Sequence, residues 1–201
     1  MTSEAPIDVE ALREEIRNTY TEVASEPDRE FIFPTGRAWA AELGYPEPEL
    51  ARVPDASAAG FAGVANHWRL GRIAPGDVVL DLGCGAGTDL LIAAQMTGPA
   101  GRVIGVDMTA SMLATARASA GAMGLANVDL HEALIEAVPV DSASVDVVIA
   151  NGVIDLVPDK DVVLDEIDRV LRPGGRLQLA DVVIHNEVSE DARERIDLWT
   201  G

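Results

Sequence analysis

The chain has 201 residues, 48% hydrophobic, 24% charged and only 4% aromatic, an ordinary globular composition that supports one substantial core and excludes a disordered or fibrous chain. Fifteen Lys and Arg against 34 Asp and Glu leave a formal net charge of −19, which repels phosphate backbones and anionic lipid surfaces, so neither a nucleic-acid nor a membrane partner is expected. No apolar run approaches the roughly 18 residues that span a bilayer, the start MTSEAPIDVEALREE is acidic where a secretory signal is basic then apolar, and Cys84 is the single cysteine; the expectation is a cytoplasmic protein with no disulfide and no metal site.

Residues 8–24 read as an amphipathic helix, with Leu12, Ile16, Tyr20 and Val23 at helical spacing and Asp8 placed to cap the start. Prolines at 27, 34, 46, 48, 54 and 75 then break any long helix. Residues 1–76 are therefore taken as a helical cap and irregular lid, and 77–201 as the core. There the pattern turns regular. DVVLDL (77–82) predicts a short buried strand running into glycines, and the stretch Thr88–Thr97 predicts a helix closed by Gly98. Further strands are predicted at GRVIGVD (101–107), NVDLHE (127–132) and SVDVVIA (144–150), with a helix over 109–123 between the second and third. A helix over 159–171 carries Val163, Ile167, Val170 and Leu171 on one face, with Asp159 and Asp161 near its start and Arg169 and Arg172 near its end, as the helix dipole favours. RPGG (172–175) stops it, GRLQLADVVI (175–184) predicts a fifth strand, and 189–199 a last helix. Such alternation predicts a doubly wound α/β fold, a mostly parallel sheet of five strands covered on both faces.

The chemistry concentrates at VLDLGCGAG (79–87), where a buried strand meets three glycines spaced two apart and then a helix. In open parallel sheets ligands bind beyond the carboxyl ends of the strands, and glycines there let backbone amides approach them. The spacing is G-x-G-x-G rather than the dinucleotide G-x-G-x-x-G, which disfavours a nicotinamide-dependent oxidoreductase. Asp81 at the strand end would oppose a pyrophosphate but favours the cationic amino and sulfonium end of S-adenosylmethionine. Gly83, Cys84 and Gly85 are assigned to the same turn, Cys84 more for packing than catalysis. Asp107 ends the second strand, where an acid can accept both ribose hydroxyls of an adenosine. Met108 either lies against the adenine or faces the core, and Leu134 and Ile135 after the third strand either meet the adenine edge or pack inside. Asn151 after the fourth strand either faces the methyl group or caps the next segment. His67 and His185 are candidate general bases, because histidine titrates near neutrality, with a plain surface role as the competing reading. His131 is read as structural.

VLDLGCGAGTD, GRVIGVDMT, NGVIDLVPDK and RVLRPGGRLQLADVV resemble the class I methyltransferase motifs of the arsenite methyltransferase-like family over about 77–200, and 44–68 is similar to its pre-core segment. The resemblance implies a sulfonium over the glycine loop, a ribose on Asp107 and an N-terminal helix closing over the cofactor, with Tyr20 in contact. It also marks departures. The family's thiolate segment resembles N-C-V-I-N-L, where this sequence has Gly152 and Asp155, and no cysteine lies between Gly60 and Trp68. The expectation is transfer of a methyl group from S-adenosylmethionine to a small-molecule acceptor other than arsenite; the alternative is a cofactor-binding subunit that needs a partner chain for activity. Class I relatives usually carry two strands after the fifth, so a homo-oligomer or a complementary subunit is expected at the fifth-strand edge, or a longer parent enzyme.

Overall fold

The computed structural model describes residues 7–26, 29, 31–185 and 199. Helix α1 (Val9–Ser25) forms where the apolar spacing predicts it: the Asp8 carboxylate accepts from the amides of Glu10 and Ala11 at 3.1 Å, and Leu12, Ile16 and Val23 are buried. The proline-rich stretch is more ordered than its composition predicts. It holds α2 (Gly36–Glu42), α3 (Glu47–Leu50), α4 (Asp55–Ala59) and a 3₁₀ turn at His67–Leu70. Pro46 and Pro54 sit at the N-caps of α3 and α4, where the missing N–H costs nothing, so these prolines begin short helices as well as preventing long ones.

Five parallel strands follow: β1 (Val78–Leu82), β2 (Arg102–Asp107), β3 (Val128–Glu132), β4 (Val145–Asn151) and β5 (Leu171–Ala180), with α5 (Thr88–Thr97), α6 (Ala110–Ala122) and α7 (Lys160–Val170) between them. Their order is β3-β2-β1-β4-β5. The chain winds outward from β1 to β3, then returns to place β4 on the other side of β1. The direction thus reverses between β1 and β4, where a crevice opens above the strand ends. Val79, Val103, Val147 and Ile149 on one sheet face pack with α5, α6 and the short helices of the cap, while Leu80, Leu82, Val148 and Ala150 on the other pack with Val163, Ile167 and Val170 of α7.

The fifth strand differs from the prediction. It begins at Leu171, paired with Val145, skips through a register shift, resumes at Arg176 opposite Val147 and ends at Ala180 opposite Asn151. Parallel pairing lasts only as long as the partner, and β4 ends at Asn151; Val182, Val183 and Ile184, apolar enough to read as strand, lie exposed beyond it. Among the described residues β5 pairs with β4 alone. The last predicted helix lies outside the described residues apart from Trp199, which packs against the apolar cluster of Ile7, Leu12 and Ile16.

Candidate cofactor and acceptor site

The crevice is floored by the loop 83–87. At Gly83 the backbone is left-handed (φ +64°) and an added Cβ would stand 2.5 Å from Cγ2 of Val153; at Gly85 φ is +52° and an added Cβ would meet nothing within 4 Å. The first glycine is thus demanded by packing, whereas the second leaves free space in the cavity wall. Cys84, between them, is buried, and its amide donates to the Val106 carbonyl (3.0 Å). Burial pushes its thiol pKa well up, with the Asp107 and Asp81 carboxylates adding to the shift, so it stays a thiol at neutral pH.

All ten residues assigned from the sequence line this one cavity. Asp107, at the end of β2, accepts from the Gly85 amide through Oδ2 and from the Thr109 amide through Oδ1, both at 2.8 Å, which ties the second strand to the glycine loop. Burial raises its pKa against the pull of these amides. Met108 is half-buried beside Tyr20 and Leu156, and Ile135 packs in the core on the α7 side of the sheet while Leu134 stays half-buried, so Met108 and Ile135 both pack inside and line the cavity. Tyr20 comes from α1, above the crevice; burial first, then the carboxylates of Asp155, Asp107 and Asp181, push its phenol pKa up. Arg13 of α1 reaches Oε1 of Glu136 at 3.0 Å, an ion pair from α1 to the segment after β3.

Asn151 neither points freely at a ligand nor caps α7. Its Oδ1 accepts from the Val64 amide (2.8 Å) and its Nδ2 donates to the Tyr45 hydroxyl (2.6 Å) and the Ala65 carbonyl (3.0 Å), so it anchors the pre-core loop over the crevice. Gly63 permits this, because a Cβ there would fall 2.4 Å from Nδ2 of Asn151. Of the two histidines offered as general bases, neither lines the cavity. His67 is fully buried behind the wall, with Nε2 3.2 Å from Oδ1 of Asp89, and is not exposed to the cavity. His185 is exposed past the end of β5, and His131, in β3, has Nε2 3.3 Å from Oδ2 of Asp129. None of the three lines the site.

Residues the sequence did not assign to the site complete the wall: Asp89 of α5, Phe61 and Gly63 of the pre-core loop, and Leu12, Ile16 and Arg13 of α1. Asp89 reads in the sequence as a first-turn acid facing a helix dipole, and its partners come from segments distant along the chain. Asp81, Asp89 and Asp107 all line the cavity, and Arg13, the one lining Lys or Arg, is spent on Glu10 and Glu136. Burial, then the charges of Asp89 and Asp107, raise the Asp81 pKa well above its ordinary value, and Asp81 Oδ2 is buried without a hydrogen-bond partner. A mainly apolar cleft with three aspartates, a Glu136 paired to Arg13 and one orphan acceptor suits a ligand that has a flat apolar part, hydroxyl donors and a cationic end. Among the described residues no group of three or more His, Cys, Asp or Glu is arranged to hold a metal ion.

Comparison with known proteins agrees with this geometry. A family model described as a methyltransferase domain matches residues 73–200. The arsenite methyltransferase of Halobacterium salinarum is 42% identical over 167 residues, covering 83% of this chain and 42% of that protein. The nocamycin O-methyltransferase of Saccharothrix syringae is 39% identical over 111 residues, 54% of this chain and 39% of that one. The crystal structure of an arsenic(III) S-adenosylmethionine methyltransferase from Chlamydomonas reinhardtii superposes with a TM-score of 0.60 at 36% identity, over 72% of this chain and 48% of that chain. The chain spans less than half the length of these relatives. Since the family model takes in more than half of the sequence, and the sheet order and crevice are of the corresponding kind, the chain belongs to the methyltransferase-domain family, with the Rossmann-like fold of class I S-adenosylmethionine-dependent methyltransferases.

Proposed function

We propose that the chain transfers a methyl group from S-adenosylmethionine to a small, uncharged or cationic acceptor other than arsenite. The observation that carries this reading is the cavity at the β1/β4 reversal, where the glycine loop and three carboxylates without a counter-cation face an apolar lid. S-adenosylmethionine supplies an activated methyl group on a positively charged sulfur. Asp107 accepts from the ribose hydroxyls with the lone pairs its two amide partners leave free. Met108, Leu134 and Ile135 provide the apolar seat of the adenine, Asp81 takes the cationic end, Gly83, Cys84 and Gly85 bring the backbone close, and Tyr20 closes the cleft from α1. Phe61, Gly63 and Asn151 bound the acceptor's side, where exclusion of water and orientation do most of the catalytic work.

The relatives' arsenic chemistry does not carry over easily, because the chain has one cysteine, buried and protonated. The same reading takes residues 1–76 as a cap on the core and places the protein in the cytoplasm, on its acidic composition and single buried thiol, which cell fractionation tests. Titration calorimetry with S-adenosylhomocysteine and NAD tests the cofactor: micromolar-class binding of the first and none of the second are expected, and equal NAD binding overturns the reading. Methylated arsenicals formed from arsenite by the purified protein would overturn the acceptor assignment. The strand partner that β5 lacks among the described residues supports a second reading, a cofactor-binding subunit completed by another chain or copy. Light scattering at several concentrations separates the two.

A further inference from the structure

We infer that Asp89 distinguishes the charged methyl donor from its uncharged product, a role that rests on the cofactor reading above. Asp89 lies in the first turn of α5 and lines the cavity with its side chain 11% exposed. Its carboxylate is clamped from three directions. Oδ2 accepts from the Tyr45 hydroxyl at 3.0 Å and from Asn151 Nδ2 at 3.3 Å, Oδ1 accepts from Trp68 Nε1 at 3.1 Å, and His67 Nε2 lies 3.2 Å from Oδ1. Tyr45, Trp68 and Asn151 are neutral donors that orient the charge without cancelling it, and His67 opposes it only in its protonated form.

Beside it stands Asp81, which accepts from the Leu90 amide and keeps Oδ2 buried, unpartnered and in the wall of the same cavity. Among the described residues neither aspartate pairs with a Lys or Arg. The groups facing Asp81 are Asp89 from α5, Asp107 from β2, the Cys84 thiol from the loop and Tyr45 from the cap. Two adjacent buried carboxylates of this kind are costly until a cation joins them. Methyl transfer breaks the sulfur–methyl bond and leaves its electron pair on sulfur, while the acceptor's lone pair forms the new bond; the sulfonium becomes an uncharged thioether. The positive charge leaves with the methyl group, on the methylated acceptor or on the proton that the acceptor gives up to water, so the product keeps its α-ammonium but has lost the sulfonium charge. Asp89 cannot follow it, because the clamp from Tyr45, Trp68 and Asn151 fixes the carboxylate in place, and the attraction is lost with the reaction. Loading of the donor and release of the product follow from one fixed charge.

The test is titration calorimetry of wild type and Asp89→Asn with S-adenosylmethionine and S-adenosylhomocysteine. Asp89→Asn should weaken the sulfonium ligand about tenfold or more and the thioether less than about twofold. Equal losses for both ligands would show that the network only props the fold, and no loss would place the discriminating charge elsewhere; either result overturns the inference while the cofactor reading stands. Failure of both ligands to bind wild type would overturn the cofactor reading and this inference together. A measurement that needs no variant titrates wild type in two buffers of different ionisation enthalpy. The sulfonium ligand should release more protons from Asp81, whose pKa is raised by burial and then by the charge of Asp89, than the thioether does, and equal proton release by the two overturns the inference.

Discussion

Gly83 and Gly85 sit two residues apart in the same loop with similar backbone angles, yet their replacement by alanine should fail in different ways. At Gly83 the new Cβ would stand 2.5 Å from Cγ2 and 2.8 Å from Cβ of Val153, a β-branched side chain with little rotamer freedom to move aside, and φ is +64°. A left-handed L-residue costs about 1–2 kcal/mol and overpacking about 1–3 kcal/mol more, so Gly83→Ala should destabilise the fold by about 2–5 kcal/mol. For a domain of this length that lowers Tm by roughly 5–15 °C. At Gly85 only the conformational cost applies, about 1–2 kcal/mol, because the Cβ meets no atom within 4 Å. That methyl enters the space beside the Asp107 contact, so Gly85→Ala should leave Tm within a few degrees and weaken S-adenosylhomocysteine binding by about tenfold or more. Scanning calorimetry and ligand titration on both variants check the pair. A Gly83→Ala protein as stable as wild type would refute the argument, since Val153 would then have to yield at no cost and the loop would not be set by that contact.

Asp107→Ala should weaken S-adenosylhomocysteine binding by roughly 10- to 150-fold, since hydrogen bonds to a charged group contribute about 1.5–3 kcal/mol and each 1.4 kcal/mol is tenfold; an unchanged affinity in a folded variant would place the ribose elsewhere. Asp155 has its pKa pushed up to about 7, by burial first and then by its hydrogen bond to Asp181 and the charge there. The folded chain therefore keeps a proton that the unfolded chain gives up near pH 4, and this group's contribution to stability is lost as pH rises from about 4 to about 7. Melting at pH 4 and pH 8 checks this: Asp155→Asn should gain stability over wild type at the higher pH, with the gain vanishing at the lower. Glu136→Gln removes the ion pair to Arg13, and stopped-flow dissociation of S-adenosylhomocysteine should quicken a few-fold, within the scale of a partly exposed pair. A rate unaffected by this change would mean that Leu12 and Ile16 hold α1 down by themselves.

Local pattern was enough to read the parallel α/β core. Val79, Leu80 and Leu82 form an apolar run that only a strand covered on both faces tolerates, and Gly83, Gly85 and Gly87 mark a turn whose backbone is left-handed at each of the three. The ten residues assigned to the cofactor all line the one cavity: nine lie in or just beyond a strand end, positions that converge in a doubly wound sheet, and Tyr20, which the family resemblance implied, lies on the apolar stripe of α1. Period and spacing report what a residue does within a few positions of itself. They could not show that β5 would end with its partner β4 at residue 180, leaving Val182, Val183 and Ile184 outside the sheet, because strand length is a property of the pair. Nor could they show that His67 would be sealed behind Asp89, or that Asn151 would spend its amide on Val64, Ala65 and Tyr45. Tyr45, His67, Trp68, Asp89 and Asn151 are spread over more than a hundred residues of chain. Only the packing of residues 36–70 onto the sheet brings the polar atoms of Tyr45, Trp68, Asp89 and Asn151 within hydrogen-bond distance, since buried polar groups need partners once water is excluded.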